Sequence, residues 1–168
     1  MNFVKEKTVC FSGHRSERLS KYPDILEQIQ GRIFMEIEKA VNDGYNTFVF
    51  GACYGFDIMC AQMILLLQKV IKFKEPKEIK LIAVVPFEEQ ASKWREHDRE
   101  LYFDTLGKCD DVITLSTRYH RKCYHERNRF MVDNSSRLIC YYDGSGGGTA
   151  YTVDYALNSK IKIINLFK

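Results

Sequence analysis

Three stretches of this chain combine glycine with hydroxyl, carboxylate or cationic side chains at spacings that could hold an anion. The densest is DGSGGGTAYT, where Gly146, Gly147 and Gly148 run directly into Thr149. Consecutive glycines offer unobstructed backbone N–H donors, Thr149 offers a hydroxyl at a helix start, and the positive end of that helix favours phosphate. A merely connecting loop gains nothing from three glycines, since each adds to the entropy lost on folding. GACYGFD sets Gly51 and Gly55 four residues apart, ahead of Asp57. It matches neither GxGxxG nor GxxxxGK[ST]. It reads either as a loop that approaches a ligand closely, with Asp57 accepting from a ribose hydroxyl, or as a tight turn whose Asp57 complements a helix dipole. FSGHR ends in Gly13, His14 and Arg15, where Arg15 could hold phosphate bidentately and His14 could titrate near neutral pH. The alternative there is an exposed polar loop.

Other reactive residue types fall short of a site. Cys109, His120, Cys123 and His125 are zinc-ligand types, but H-x2-C-x-H with a distant cysteine matches no usual pairing, and no metal is expected. The interleaved Arg118, Arg121, Lys122 and Arg127 read instead as an exposed basic loop. The six cysteines contain no CxxC pair and several sit in apolar runs, as small buried hydrophobes do. Trp94, the sole tryptophan, could stack on a base, but among helical neighbours it reads as a packing anchor. The candidate catalytic acids are Asp57, Asp143 and Asp154.

The elements that must carry these loops alternate in type. Thr8–Ser12, Thr47–Phe50, Ile79–Val85, Val112–Leu115, Arg137–Tyr142 and Lys162–Leu166 are short apolar runs of strand character. Between the first two, Ile25, Ile29, Ile33, Ile37, Ala40 and Val41 recur at helical spacing, predicting an amphipathic helix over Asp24–Asn42 that Asp24 helps to cap. A more apolar helix is predicted from about Phe56 to Val70, one or two surface helices over Glu88–Leu106, and shorter helices over Arg127–Asn134 and Thr149–Asn158. Alternation of this kind predicts one doubly wound α/β domain over residues 1–168, its mainly parallel sheet covered by helices on both faces. Ligands of such sheets bind beyond the carboxyl ends of the strands, where strand order reverses. Gly13 to Arg15, Gly51 to Asp57, Pro86 with Phe87, and Asp143 to Thr149 all fall at that edge.

Composition narrows the function classes. With 45% hydrophobic and 28% charged residues in 168, a disordered or collagen-like chain is excluded. The formal charge of +3 is too small for a strong uniform field, so nucleic acid enters only through a local basic patch. Apolar runs such as Met63–Leu67 are far short of the ~20 residues of a membrane span. The N-terminal stretch lacks the apolar core of about 7–15 residues found in secretory signals, so a cytoplasmic location is expected.

FSGHR, GACYGFD, PFEEQASKW, ERNRFMVDNS and YYDGSGGGT occur in this order between about Thr8 and Phe167. The series resembles the YpsA-like branch of the SLOG superfamily, whose Rossmann-like members include the LOG cytokinin-activating phosphoribohydrolases and the DNA-processing protein DprA. The resemblance implies a pocket for a nucleotide or nucleotide derivative, of the NAD or ADP-ribose type proposed for this branch. By position it places Gly13, His14 and Arg15 in the first ligand loop, Gly51, Gly55 and Asp57 in the second, and Pro86 after the third strand. Asn128 would come from the helix before the fifth strand, while Gly146, Gly147, Gly148 and Thr149 would cradle phosphate. LOG enzymes end a PGGxGTxxE pattern on a Glu that takes part in N-glycosidic cleavage. Here Thr152 stands in that place, and a hydroxyl cannot act as a carboxylate base. Ser136 likewise replaces the branch's acidic residue after MVDxS. The resemblance thus implies a nucleotide-derivative sensor or regulatory module needing no cofactor, ahead of an N-glycosidic or phosphoribosyl hydrolase and a DprA-like single-strand binder. A homodimer paired through the first helix is the protein partnership such a fold allows.

Overall fold

The computed structural model describes residues 4–71 and 78–167. Its strands are β1 (Thr8–Gly13), β2 (Thr47–Phe50), β3 (Lys80–Val85), β4 (Asp111–Thr114), β5 (Arg137–Tyr141) and β6 (Lys162–Asn165). They form a single sheet in the order β4-β3-β2-β1-β5-β6, and every neighbouring pair is parallel. The helices are α1 (Pro23–Asn42), α2 (Phe56–Ile71), α3 (Glu96–Leu106), α4 (Cys123–Asp133) and α5 (Gly148–Asn158). This is the doubly wound, Rossmann-like α/β architecture expected from the alternation of elements.

Side chains of a strand point alternately to opposite faces, and here both faces are apolar. Val9, Phe11, Phe48, Phe50, Leu81 and Ala83 face one way, against Ile33 and Ile37 of α1, Ile64 of α2 and Tyr102 of α3. Cys10, Val49, Ile82, Val84, Leu138 and Cys140 face the other way, against Met131 and Val132 of α4 and Val153 and Ala156 of α5. Four of the six cysteines (Cys10, Cys60, Cys123 and Cys140) are buried, packing as small apolar side chains. The edge strands β4 and β6 are half-exposed, which fits their polar ends.

Several boundaries differ from the sequence expectation by a residue or more, and those around the helices have local reasons. Helix α1 starts one residue early because Pro23 occupies its first turn, where a missing N–H costs nothing. Asp24 makes no side-chain cap; it lies in the first turn as a charge complementing the dipole. Residues 88–94 form turns rather than helix, so only Glu96–Leu106 is helical in that region. Helix α4 begins at Cys123, four residues before the expected start, because nothing in CYHE breaks a helix. That last shift puts Arg127 a full turn inside the helix, and there it is buried instead of exposed with its basic neighbours.

Candidate functional site

The chain winds from β1 outward through β2, β3 and β4, then returns to lay β5 along the opposite side of β1. Strand order therefore reverses between β1 and β5, and the loops leaving their carboxyl ends part to leave a crevice. A cavity of about 430 Å³ lies there, within the usual range for small-molecule sites. Gly13, His14 and Arg15 line it from the β1 loop, Cys53 and Asp57 from the β2–α2 loop and α2, Tyr124, His125, Arg127 and Asn128 from α4, and Gly148 and Thr149 from the start of α5.

The β2–α2 loop is bound tightly to α4. Arg127 is buried, and its Nη1 donates to the Gly51 carbonyl while its Nε donates to Asn128 Oδ1 at 2.7 Å. A Cβ on Gly51 would stand 2.1 Å from that Nη1 and 2.8 Å from Asp57 Oδ2. Gly55 adopts φ +94°, and a Cβ there would meet the Ser16 nitrogen at 2.7 Å. At these two glycines a side chain would collide with other parts of the protein, which is the packing a tight turn requires. Gly13 has the same role, since a Cβ on it would penetrate the Phe56 ring at 2.4 Å.

Asp57 is buried at the first turn of α2 and lines the cavity. Burial pushes its carboxyl up to about 6, against the opposing pull of Arg127 and of backbone N–H groups from Cys53 and Gly51. A carboxyl poised there changes charge near physiological pH.

The glycine loop behaves differently. A Cβ on Gly146 or Gly148 would meet nothing within 4 Å, so this backbone is open to whatever enters. Gly147 precedes α5 at φ +137°, a conformation that L side chains rarely adopt, and no side chain caps the helix. No acidic residue occupies the first turn of α5. Its first N–H groups thus lack the side-chain acceptor that usually satisfies them. From across the crevice Arg18 donates to the Gly146 carbonyl at 3.2 Å and to the Ser145 hydroxyl. Asp143 accepts from the Ser145 hydroxyl and, at 2.9 Å, from the Ser145 N–H, which hold its carboxyl well below the usual carboxylate range. Its Oδ1 also stands 2.9 Å from Nε2 of buried His14, tying the β1 and β5 loops together.

Of the residues expected from sequence, Gly13, His14, Arg15, Asp57, Asn128, Gly148 and Thr149 line one cavity. Gly51, Gly55, Pro86, Gly146 and Gly147 lie outside its lining, although Gly146 and Gly147 belong to the loop at its mouth. Among the three candidate acids, Asp57 is in the cavity, Asp143 stands behind His14, and Asp154 is solvent-exposed on α5 away from the lining. Thr152, at the position of the LOG carboxylate, is fully buried and donates to the Gly148 carbonyl at 2.9 Å. Sequence reasoning missed Arg18, Cys53, Tyr124, His125 and Arg127 as lining residues. The signal for Arg127 was its place beside Asn128 in the helix expected over Arg127–Asn134. Among the described residues, no three His, Cys, Asp or Glu side chains converge as a metal site. No described helix is long and apolar enough to cross a membrane.

Comparison with known proteins agrees with this fold. A sequence profile described as the YspA SLOG family matches residues 9–165. A UPF0398 protein from Bacillus pumilus is 23% identical over 148 residues, covering 85% of this chain and 77% of the relative. One from Bacillus thuringiensis is 24% identical over 165 residues, covering 95% and 86% respectively. Among solved structures, DNA processing protein A (DprA) from Streptococcus pneumoniae superimposes with a TM-score of 0.63 at 18% identity, over 94% of this chain. This chain spans about half of that protein (49%). DNA processing protein A from Helicobacter pylori, described for its single-stranded DNA binding mode, gives a TM-score of 0.60 at 12% identity, covering 95% of this chain and 64% of that one. At such identities the likeness concerns the fold.

Proposed function

The chain belongs to the YspA SLOG family, and from that premise we propose that its cavity binds a phosphate-bearing nucleotide derivative of the NAD or ADP-ribose type, as a sensor or regulatory module. The observation that carries this reading is the uncapped N-terminus of α5, which opens at Gly148 and Thr149 into the same cavity as Arg15, His14 and Asn128. Donors left without a side-chain acceptor at the positive end of an 11-residue helix suit an anion, and Arg15 adds a full charge. Protonation of Asp57 near pH 6 removes a negative charge from beside that anion. Recognition without turnover fits Thr152, whose buried hydroxyl is committed to Gly148 and supplies no carboxylate.

A thermal-shift series with ADP-ribose, NAD, AMP and inorganic pyrophosphate, with recovery of each ligand, tests the proposal. A ligand at about 100 times its Kd adds roughly 2.7 kcal/mol of stability. The expected result is a shift with at least one nucleotide, recovered intact, and weakened roughly 10–100-fold by Arg15→Ala through loss of a charge-assisted contact. No shift with any of them would overturn the reading. Recovery as free base and ribose phosphate would favour the second reading, a hydrolase with Asp57 as its acid, for which a carboxyl near 6 is suited.

A further inference from the structure

A larger cavity, of about 960 Å³, adjoins the first and shares Arg15 and Tyr124 with it. Five of its thirteen lining residues are aromatic (Tyr54, Phe87, Trp94, Tyr119 and Tyr124), against 13% of the chain. On one wall the rings of Tyr54 and Trp94 meet edge to face at 4.9 Å; on the other, Phe87 meets Tyr119 at 5.5 Å and Tyr124 at 5.9 Å. These are packed assemblies, not loose side chains. Trp94 is anchored further against Tyr102 at 5.3 Å, and Gln90 ties the turn beneath to the Ala52 carbonyl at 3.2 Å. The guanidiniums of the first cavity hold the partition, Arg15 lying 5.3 Å over Tyr54 and Arg127 5.9 Å from the centre of Tyr124. Tyr119 is the exception. It is 64% exposed, and among the described residues its ring meets only that of Phe87, edge to face.

We propose that this second cavity seats a planar heteroaromatic ring, a nucleobase or a nicotinamide-like group, belonging to the same ligand whose phosphate lies at Gly148 and Thr149. The ligand passes over Arg15, with its ring between the two aromatic walls. The inference rests on the phosphate reading of the first cavity and adds to it the position of the base. Ring walls recognise the π-face that every base has, and leave Glu88, Glu89 and Gln90 on the lining to accept from or donate to its polar edge. An exposed Tyr119 beside such a cavity gains a stacking partner when the ring arrives.

Trp94, as the sole tryptophan, reports on the second cavity and not on the first. Its emission is followed while the full chain is titrated with ADP-ribose, NAD, AMP, ribose 5-phosphate and pyrophosphate, with thermal shift recorded in parallel. Expected is a saturable change in Trp94 emission with the ring-bearing ligands alone, while the ring-free phosphates raise thermal stability without it. Tyr119→Ala, at an exposed position, leaves the unliganded melting temperature unchanged and weakens ring-bearing ligands about 5–100-fold, the range for losing one stacked base, but leaves pyrophosphate binding as it was. Nucleotides that stabilise the protein with silent Trp94 emission and undiminished affinity for Tyr119→Ala would overturn the ring subsite and leave the phosphate reading standing. No stabilisation by any ligand would overturn both. A response to a single-stranded oligonucleotide with none to small nucleotides would replace the small ligand by a nucleic-acid strand.

Discussion

Replacing Gly51 by alanine separates what this glycine does from what its motif promises. The added Cβ would lie 2.1 Å from Arg127 Nη1, 2.5 Å from its Cζ and 2.8 Å from Asp57 Oδ2. Arg127 must then give up its bond to the Gly51 carbonyl, although it is buried where it lines the cavity wall. Overpacking of a filled site costs about 1–3 kcal/mol, and a lost hydrogen bond to a charged group about 1.5–3 kcal/mol. The sum is roughly 2.5–6 kcal/mol, a large share of the stability of about 5–15 kcal/mol available to an ordinary domain. Urea unfolding monitored by circular dichroism reads it as a fall in midpoint, and a scan as a drop of about 5–24 °C at roughly 2–4 °C per kcal/mol. Gly146→Ala is the control. Its Cβ meets nothing within 4 Å, so its stability stays within about 0.5 kcal/mol of the parent. Equal stability of the two variants would refute the assignment of Gly51 to packing against Arg127.

Further predictions concern charge and the open loop. Asp57 holds its proton more tightly folded, at about 6 against 3.8, so the folded state binds more protons over that window and stability falls as pH rises through it. Urea unfolding at pH 4, 5, 6 and 7 is expected to show wild type losing on the order of 3 kcal/mol relative to Asp57→Asn, and parallel profiles would contradict the buried carboxyl. Arg18→Ala removes two bonds to the glycine loop, so amide exchange at residues 144–149 is expected to quicken with the melting temperature nearly unchanged. Unaltered exchange would show that Arg18 does not hold the loop. Asp154→Asn, at an exposed position outside the cavity, is expected to leave nucleotide affinity and any turnover at wild-type values; loss of either would restore it as a candidate acid.

The strands and long helices were legible because each carries its own period: apolar runs such as TFVF fit only strands buried on both faces, and Ile29, Ile33 and Ile37 recur along one helical stripe. The edge at which the site lies followed from alternation alone. What could not be read was the partner of each loop residue. Gly51 and Gly146 look alike in sequence, yet a Cβ on one would meet a buried guanidinium and on the other nothing within 4 Å, a difference made by Arg127 of α4, 76 residues away. Arg127 sat among basic neighbours that made it look exposed, and only its phase on α4 turns it inward. Trp94 read as a packing anchor; it packs on Tyr54 and Tyr102 and also lines a cavity, and nothing in PFEEQASKW distinguishes one use from both.

The pairing of β1 with β5 also governs how the molecule comes into being. Val9 aligns with Arg137 and Gly13 with Tyr141, so 128 residues of chain separate the partners on the two banks of the crevice. During synthesis, β1 can gain β2 as a neighbour early, but its other edge waits, with unpaired N–H and C=O groups, until β5 has emerged. Closing so long a loop is slow, and no site exists before it closes. By mass action, any molecule that bound only across the closed crevice would favour chains whose sheet is complete over chains still waiting for β5.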